Sequence, residues 1–177
     1  MSEIDRRTLT TVLAASMIPA AVASADDAAK IAPLAGNAPS GTGRFDLARI
    51  AATFPETSDT LLVDQYLSDT PHASCRLFRI YKPVPPHFHT QCDEFLYVFQ
   101  GRGTFWMGDP STTAEFAPGQ LLRFERLTVH SVPEIIEGPV VFLSVDTPRR
   151  DPKDITFVNP NDGTPESFIK QNKPEPY

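Results

Sequence analysis

Residues 85–101 read PPHFHTQCDEFLYVFQG, which puts two of the chain's four histidines, His87 and His89, one residue apart and ahead of Glu94 and an aromatic, apolar run. In an extended strand successive side chains alternate faces, so the two imidazoles point the same way, close enough to share one ion, while Phe88 points the other way. Glu94 has the wrong parity to continue that strand. The intervening TQCD must bend before Glu94 rejoins the histidines' face. Beyond the bend the same alternation sets Leu96 and Val98 inward and Phe95, Tyr97 and Phe99 outward, and Gly101 with Gly103 is expected to supply a turn. His130, in LTVHSV, is a further histidine on a strand-like segment, far enough along the chain to return from another part of a barrel. Three imidazoles and one carboxylate make an N/O donor set that suits a divalent transition metal: Fe, Mn, Ni, Co, Cu or Zn.

The rest of the chain agrees with a β-rich setting. With 177 residues and 41% hydrophobic content it can bury one proper core, and its 18 prolines and 12 phenylalanines favour strands and turns over long helices. TLLVDQYL, ASCRLFRIYK, EFLYVFQ, GTFWMG, GQLLRFE, LTVHSV and PVVFLSVD are short apolar segments parted by Pro, Gly, Asp or Ser, the spacing of an all-β sandwich or barrel. Before them FDLARIAATF carries apolar positions at helical spacing. A net charge of -6 without a basic block lacks the footprint of a nucleic-acid binder and leaves a small organic molecule as the expected partner.

Both ends of the chain differ from its middle. Residues 1–25 have paired Arg6 and Arg7, an apolar stretch broken by Pro19, and the small-residue pattern Ala23-Ser24-Ala25. That is the order of a bacterial export signal of twin-arginine type, with cleavage after Ala25, a periplasmic destination and no membrane attachment once cleaved. Residues 26–43 read as a flexible linker, residues 44–158 as the folded domain, and residues 159–177 as a polar, proline-rich tail on the surface or mobile.

The spacing in the middle resembles that of a small single-domain cupin. The first cupin motif runs H-x-H, then E, then G, and His87, His89, Glu94 and Gly101 match it, although Tyr81 stands where a glycine usually precedes it. In the second motif Gly119 and His130 match at the right separation, while Glu125, Leu127 and Glu134 stand where the family has Pro, Gly and Asn. The resemblance covers roughly residues 61–147. It implies a double-stranded β-helix, the jelly-roll cupin barrel, with a short N-terminal helix before it. It also implies that His87, His89, Glu94 and His130 hold one metal ion, with open positions for substrate, water or dioxygen.

The ligand set and this resemblance together imply a metal-dependent oxidoreductase acting on a small molecule, its dioxygenase type implied by the resemblance, with Glu94 as ligand or as general base. A cupin isomerase or lyase and a non-catalytic ligand-binding cupin are the alternatives. No G-x-S-x-G and no phosphate loop points elsewhere. The outward row of Phe95, Tyr97 and Phe99 implies packing beneath another element or a contact between two copies in a homodimer. Trp106 is read as core or cavity wall, Arg149 and Arg150 as solvated surface, and His72 as without a role. Cys75 and Cys92 can form a disulfide in an exported protein, but folding before export favours reduced, buried thiols.

Overall fold

The computed structural model describes residues 43–172. The export signal over 1–25, nearly all of the linker over 26–43 and residues 173–177 of the tail lie outside them.

The short apolar segments form β1 (Leu62–Asp69), β2 (Ser74–Ile80), β3 (Val84–Phe88), β4 (Asp93–Met107), β5 (Ala114–Phe116), β6 (Leu121–Phe124), β7 (His130–Thr147), β8 (Thr156–Phe157) and β9 (Ile169–Gln171), with burial alternating in the first half of β4 and in β6 and nearly continuous in β1. Two short helices, α1 (Leu47–Ala51) and α2 (Pro165–Phe168), flank them. EFLYVFQ and GTFWMG are one strand and not two. The turn expected at Gly101 and Gly103 is absent: β4 continues through both, with register shifts against β7 at these positions. Gly101 has φ +80°, and a Cβ there would stand 2.4 Å from the Pro139 carbonyl oxygen. Glycine thus permits a bulge that bends the strand without ending it. His130 to Val132 of LTVHSV and the whole of PVVFLSVD likewise fall in one strand, β7.

Because β4 and β7 bend, each serves two layers. One layer runs β9-β1-β2-β7-β4-β6, using the second half of β7 and the first half of β4. The other runs β8-β3-β7-β4-β5, using the opposite halves. All pairings are antiparallel except β1 with β9. This is the all-β double-stranded β-helix, a jelly roll, that the sequence led us to expect.

Between the layers lies one apolar cluster to which both contribute, including Leu62, Phe78, Leu96, Val98, Phe116, Phe124, Val132, Phe142 and Phe157. Phe78, Phe116, Phe124 and Phe142 are each no more than 4% exposed, and each such burial stabilises the fold by roughly 1.5–3 kcal/mol. A second cluster covers the outer face of the first layer. There α1, capped by Asp46 accepting from the Arg49 N–H, buries Ile50 among Phe54, Val63, Leu67, Leu77 and Val141. Phe99 packs against this cluster. Of the outward row only Tyr97 is substantially exposed, at 39%, and Phe95 lies beneath the Arg123 guanidinium.

Residues 159–172 are mostly exposed, but they form ordered elements and anchor one side chain in the core. Thr164 and Ser167 form a capping box on α2, β9 adds to the edge of β1, and Phe168 is buried in the main core. Mostly polar composition hid one aromatic anchor. The two cysteines are free thiols, Cys92 buried and Cys75 half-buried, in line with the reduced reading.

Candidate metal centre

Strand pairing brings the histidines together. His87 on β3 lies directly opposite His130 on β7, and His89 follows where β3 ends and the chain bends at Thr90 and Gln91. Asp154, a residue without a role in the sequence reading, holds that bend. Its carboxylate accepts from the Thr90 N–H at 2.9 Å, the Thr90 hydroxyl at 2.6 Å and the Gln91 N–H at 2.8 Å. Past the bend Glu94 returns to the same interior as the histidines, as parity required. The His87 and His130 ring centres are 4.3 Å apart, those of His87 and His89 5.2 Å, and those of His89 and His130 5.5 Å.

Each Nδ1 meets a backbone carbonyl: His87 that of Pro85 at 2.8 Å, His130 that of Thr128 at 2.9 Å, and His89 that of Asp154. A carbonyl only accepts, so Nδ1 carries the hydrogen, and the neutral ring presents a bare lone pair at Nε2. One ligand nitrogen from each ring lies within 4.8 Å of the other two. Nε2 of His89 and of His130 are buried without a hydrogen-bond partner. Facing them, at 3.6 and 3.5 Å, is Oε2 of Glu94. Lone pairs confront a carboxylate oxygen with no hydrogen between them. A cation resolves that confrontation, and buried N and O donors of this kind fit a divalent transition metal.

Titration agrees with this arrangement. Burial, reinforced by the neighbouring His130 and His89 rings, holds His87 well below the ordinary 6.5, so it is the neutral ligand form near neutral pH. Burial alone would raise the Glu94 carboxyl; hydrogen bonds and positive charge from the His130 and His89 rings would bring it well below the usual 4.5, and with those rings neutral a bound cation would supply that charge instead. Phe124 stacks flat on His130 at 4.1 Å and fixes that ring from behind.

Behind Glu94 lies a buried charge network. Arg76, 3% exposed, reaches Glu94 Oε1 at 3.4 Å, Asp64 at 3.3 Å and Asp146 at 3.6 Å. Asp146 also takes Arg150 Nε at 3.1 Å and the hydroxyls of Ser74 and Ser144, both at 3.3 Å. Arg149 and Arg150 are therefore not solvated surface. Arg150 is 2% exposed, and Arg149 pairs with Asp69 at 2.8 and 2.9 Å. Buried counter-charges from distant strands overrode the polar local context, because an ion pair out of water persists only where its partners are held in place. For Arg76 a signal did exist, since it shares parity with the inward Phe78 and Ile80.

The three histidines, Glu94, Arg76 and Arg150 line one cavity of about 30 Å³ whose remaining walls are apolar, among them Leu62, Phe78, Leu96, Phe124, Phe142 and Phe168. Leu96 takes the expected place. Val98 and Trp106 are buried but belong to the packing around the cavity and do not line it. His72 is exposed in its turn.

The turn before His130 has a backbone conformation that favours glycine, at a residue that is not glycine. Leu127 adopts φ +65°, the left-handed region that glycine prefers, and its N–H donates to the His89 carbonyl at 2.7 Å. Its side chain is 64% exposed, so little burial offsets the strain. Leu127→Gly should stabilise the protein by about 1 kcal/mol, read as a higher urea midpoint at unchanged slope.

Asp154 gives a pH-dependent expectation. Burial works against it, but hydrogen bonds from Thr90 and Gln91 hold its carboxyl below the ordinary 3.8. A depressed carboxyl contributes stability that is complete above its unfolded value and is lost as the pH falls through the folded one. Asp154→Ala should cost about 2–3 kcal/mol near neutral pH, and the difference from wild type should close below pH 3.8. Urea unfolding across the acid range checks this.

The fold and the convergent imidazoles together define a double-stranded β-helix protein with a candidate metal centre. Its residues 78–146 match the family model described as Cupin domain, and the chain carries a cupin domain. Solved structures agree at the level of fold. TT1209 from Thermus thermophilus is 22% identical with a TM-score of 0.50, the match covering 60% of this chain and 97% of that one. An RmlC-like cupin family protein with a double-stranded β-helix fold from Methanocaldococcus jannaschii is 16% identical with a TM-score of 0.44, covering 54% and 86%. KdgF from Halomonas sp. is 21% identical with a TM-score of 0.45, covering 50% and 79%. Comparison with curated proteins gives no match.

Proposed function

We propose that the protein is a metal-dependent cupin enzyme acting on a small organic substrate, with oxidation by dioxygen as the leading reaction class. One observation carries the metal part: buried, hydrogen-free Nε2 atoms of His89 and His130 opposite the Glu94 carboxylate, beside His87. His87, His89, His130 and Glu94 would hold the ion. When bound, a divalent transition ion supplies Lewis acidity toward a chelating enol, diol or hydroxy acid, and a redox-active one supplies electrons for reaction with dioxygen.

The chain's own residues do the rest. Arg76 anchors Glu94 through Oε1, which leaves Oε2 to ligate or to accept a substrate proton. Carbonyls of Pro85, Asp154 and Thr128 fix the ring orientations. The apolar walls exclude water and favour a compact substrate. The oxidative class rests on the cupin resemblance and on a donor set suited to redox-active ions. The anchored, ionised Glu94 equally suits proton abstraction, which is the step that an isomerase or lyase needs. Export to the periplasm through the segment 1–25 belongs to the same proposal.

Elemental analysis of protein purified without added metal, followed by oxygen-uptake assays with catechols, diketones and hydroxy acids, tests this reading. Near-stoichiometric iron, manganese, copper or nickel with oxygen consumption supports it. Turnover that persists without dioxygen moves the assignment to an isomerase or lyase. Ligand binding by metal-free protein without turnover moves it to a binding protein.

A further inference from the structure

Charge around the cavity calls for something besides a metal. Arg76 and Arg150 line it and are 3% and 2% exposed, and the carboxylates facing them are Asp64, Glu94 and Asp146, at 1%, 4% and 0%. Two cations against three anions leave one negative charge. Neutral imidazoles add nothing, so a divalent ion turns the sum to one positive charge. Asp64 makes the cluster no more negative than this count, because burial pushes its carboxyl up against the pull of Arg76 and Arg150. A net charge sealed in a low-dielectric interior is costly, and one small anion would cancel it.

A second, independent observation says where the anion sits. Arg150 binds Asp146 through Nε, yet its Nη2 is buried without a hydrogen-bond partner. A guanidinium with an unused arm beside a cavity matches the geometry of a carboxylate oxygen. Arg150 lines the same cavity as the three histidines and is linked to them through Asp146 Oδ2, which it shares with Arg76, and through Glu94, whose Oε1 Arg76 reaches and whose Oε2 faces His89 and His130.

We infer that the cavity takes a small carboxylic acid, its carboxylate held by Arg150 Nη2 while a neighbouring oxygen of the same molecule faces the three imidazoles. This names the substrate class of the proposed metal site and rests on that reading.

The test uses the full-length protein loaded with Co(II), whose visible absorption reports a ligand entering the site, titrated with pyruvate and with its uncharged amide. Pyruvate should bind about tenfold or more tightly than the amide, the size of one charge-assisted hydrogen bond. Arg150→Lys keeps the charge but removes the unused arm, and should abolish that preference while retaining Co(II). Arg150→Gln serves the same comparison if the first variant does not fold. Equal affinity for acid and amide, response to neither, or a preference that survives in the variant overturns the inference and leaves the metal site standing. Failure to take up Co(II) sinks the metal reading first, and this inference with it.

Discussion

His89→Ala protein, purified without added metal, should carry almost none, whereas His72→Ala protein should carry as much as wild type. The contrast follows from position. His89 Nε2 is a buried lone pair without a partner, one of three converging nitrogens, while His72 is exposed in a turn. Losing an outer partner of a metal ligand costs about 10–100-fold in affinity, and losing the ligand itself should exceed that. The alanine takes a partner only from the Asp154 carbonyl, so the fold should persist at a modest cost in stability. Metal content by plasma emission, with circular dichroism to confirm folding, decides the matter. Equal metal in both variants would mean that the imidazoles at this site bind nothing.

The largest loss of stability should come from Arg76→Met. Methionine matches the length and flexibility of the side chain but takes the guanidinium from Asp64 and Glu94 and leaves Asp146 with Arg150 as its remaining cation. Removing one partner of a buried ionic cluster costs about 3–5 kcal/mol, because the remaining charges are uncompensated. The urea midpoint should fall accordingly. Metal loading should partly rescue the variant, since a cation beside Glu94 replaces some of the missing positive charge. A loss near zero would show that the carboxylates share protons and that Arg76 is dispensable.

The sequence made the ligands legible and hid their support. His87, His89 and Glu94 lie within one short stretch where strand parity and a bend decide the geometry locally, and His130 followed from motif spacing. Arg76, Asp64, Asp146 and Arg150 come from β1, β2, β7 and the segment after β7. Their meeting depends on strand pairing that no local pattern encodes. Arg149 and Arg150 sit among polar neighbours, so composition placed them outside, although Asp69 and Asp146 draw them in. Gly101 was read as a turn because a glycine with positive φ serves a bulge as well as a corner. In the turn before His130, Leu127 departs from the motif, yet its backbone takes a conformation that favours glycine.

Phe168 and Ile169 belong to the stretch that composition marked as a polar surface tail, and both border the cavity of the candidate metal centre. One side of the cavity is accordingly closed by residues of α2 and β9. A chain shortened after Val158 would lose that closure, leaving the imidazoles wet and the ion open to exchange with any chelator in the medium.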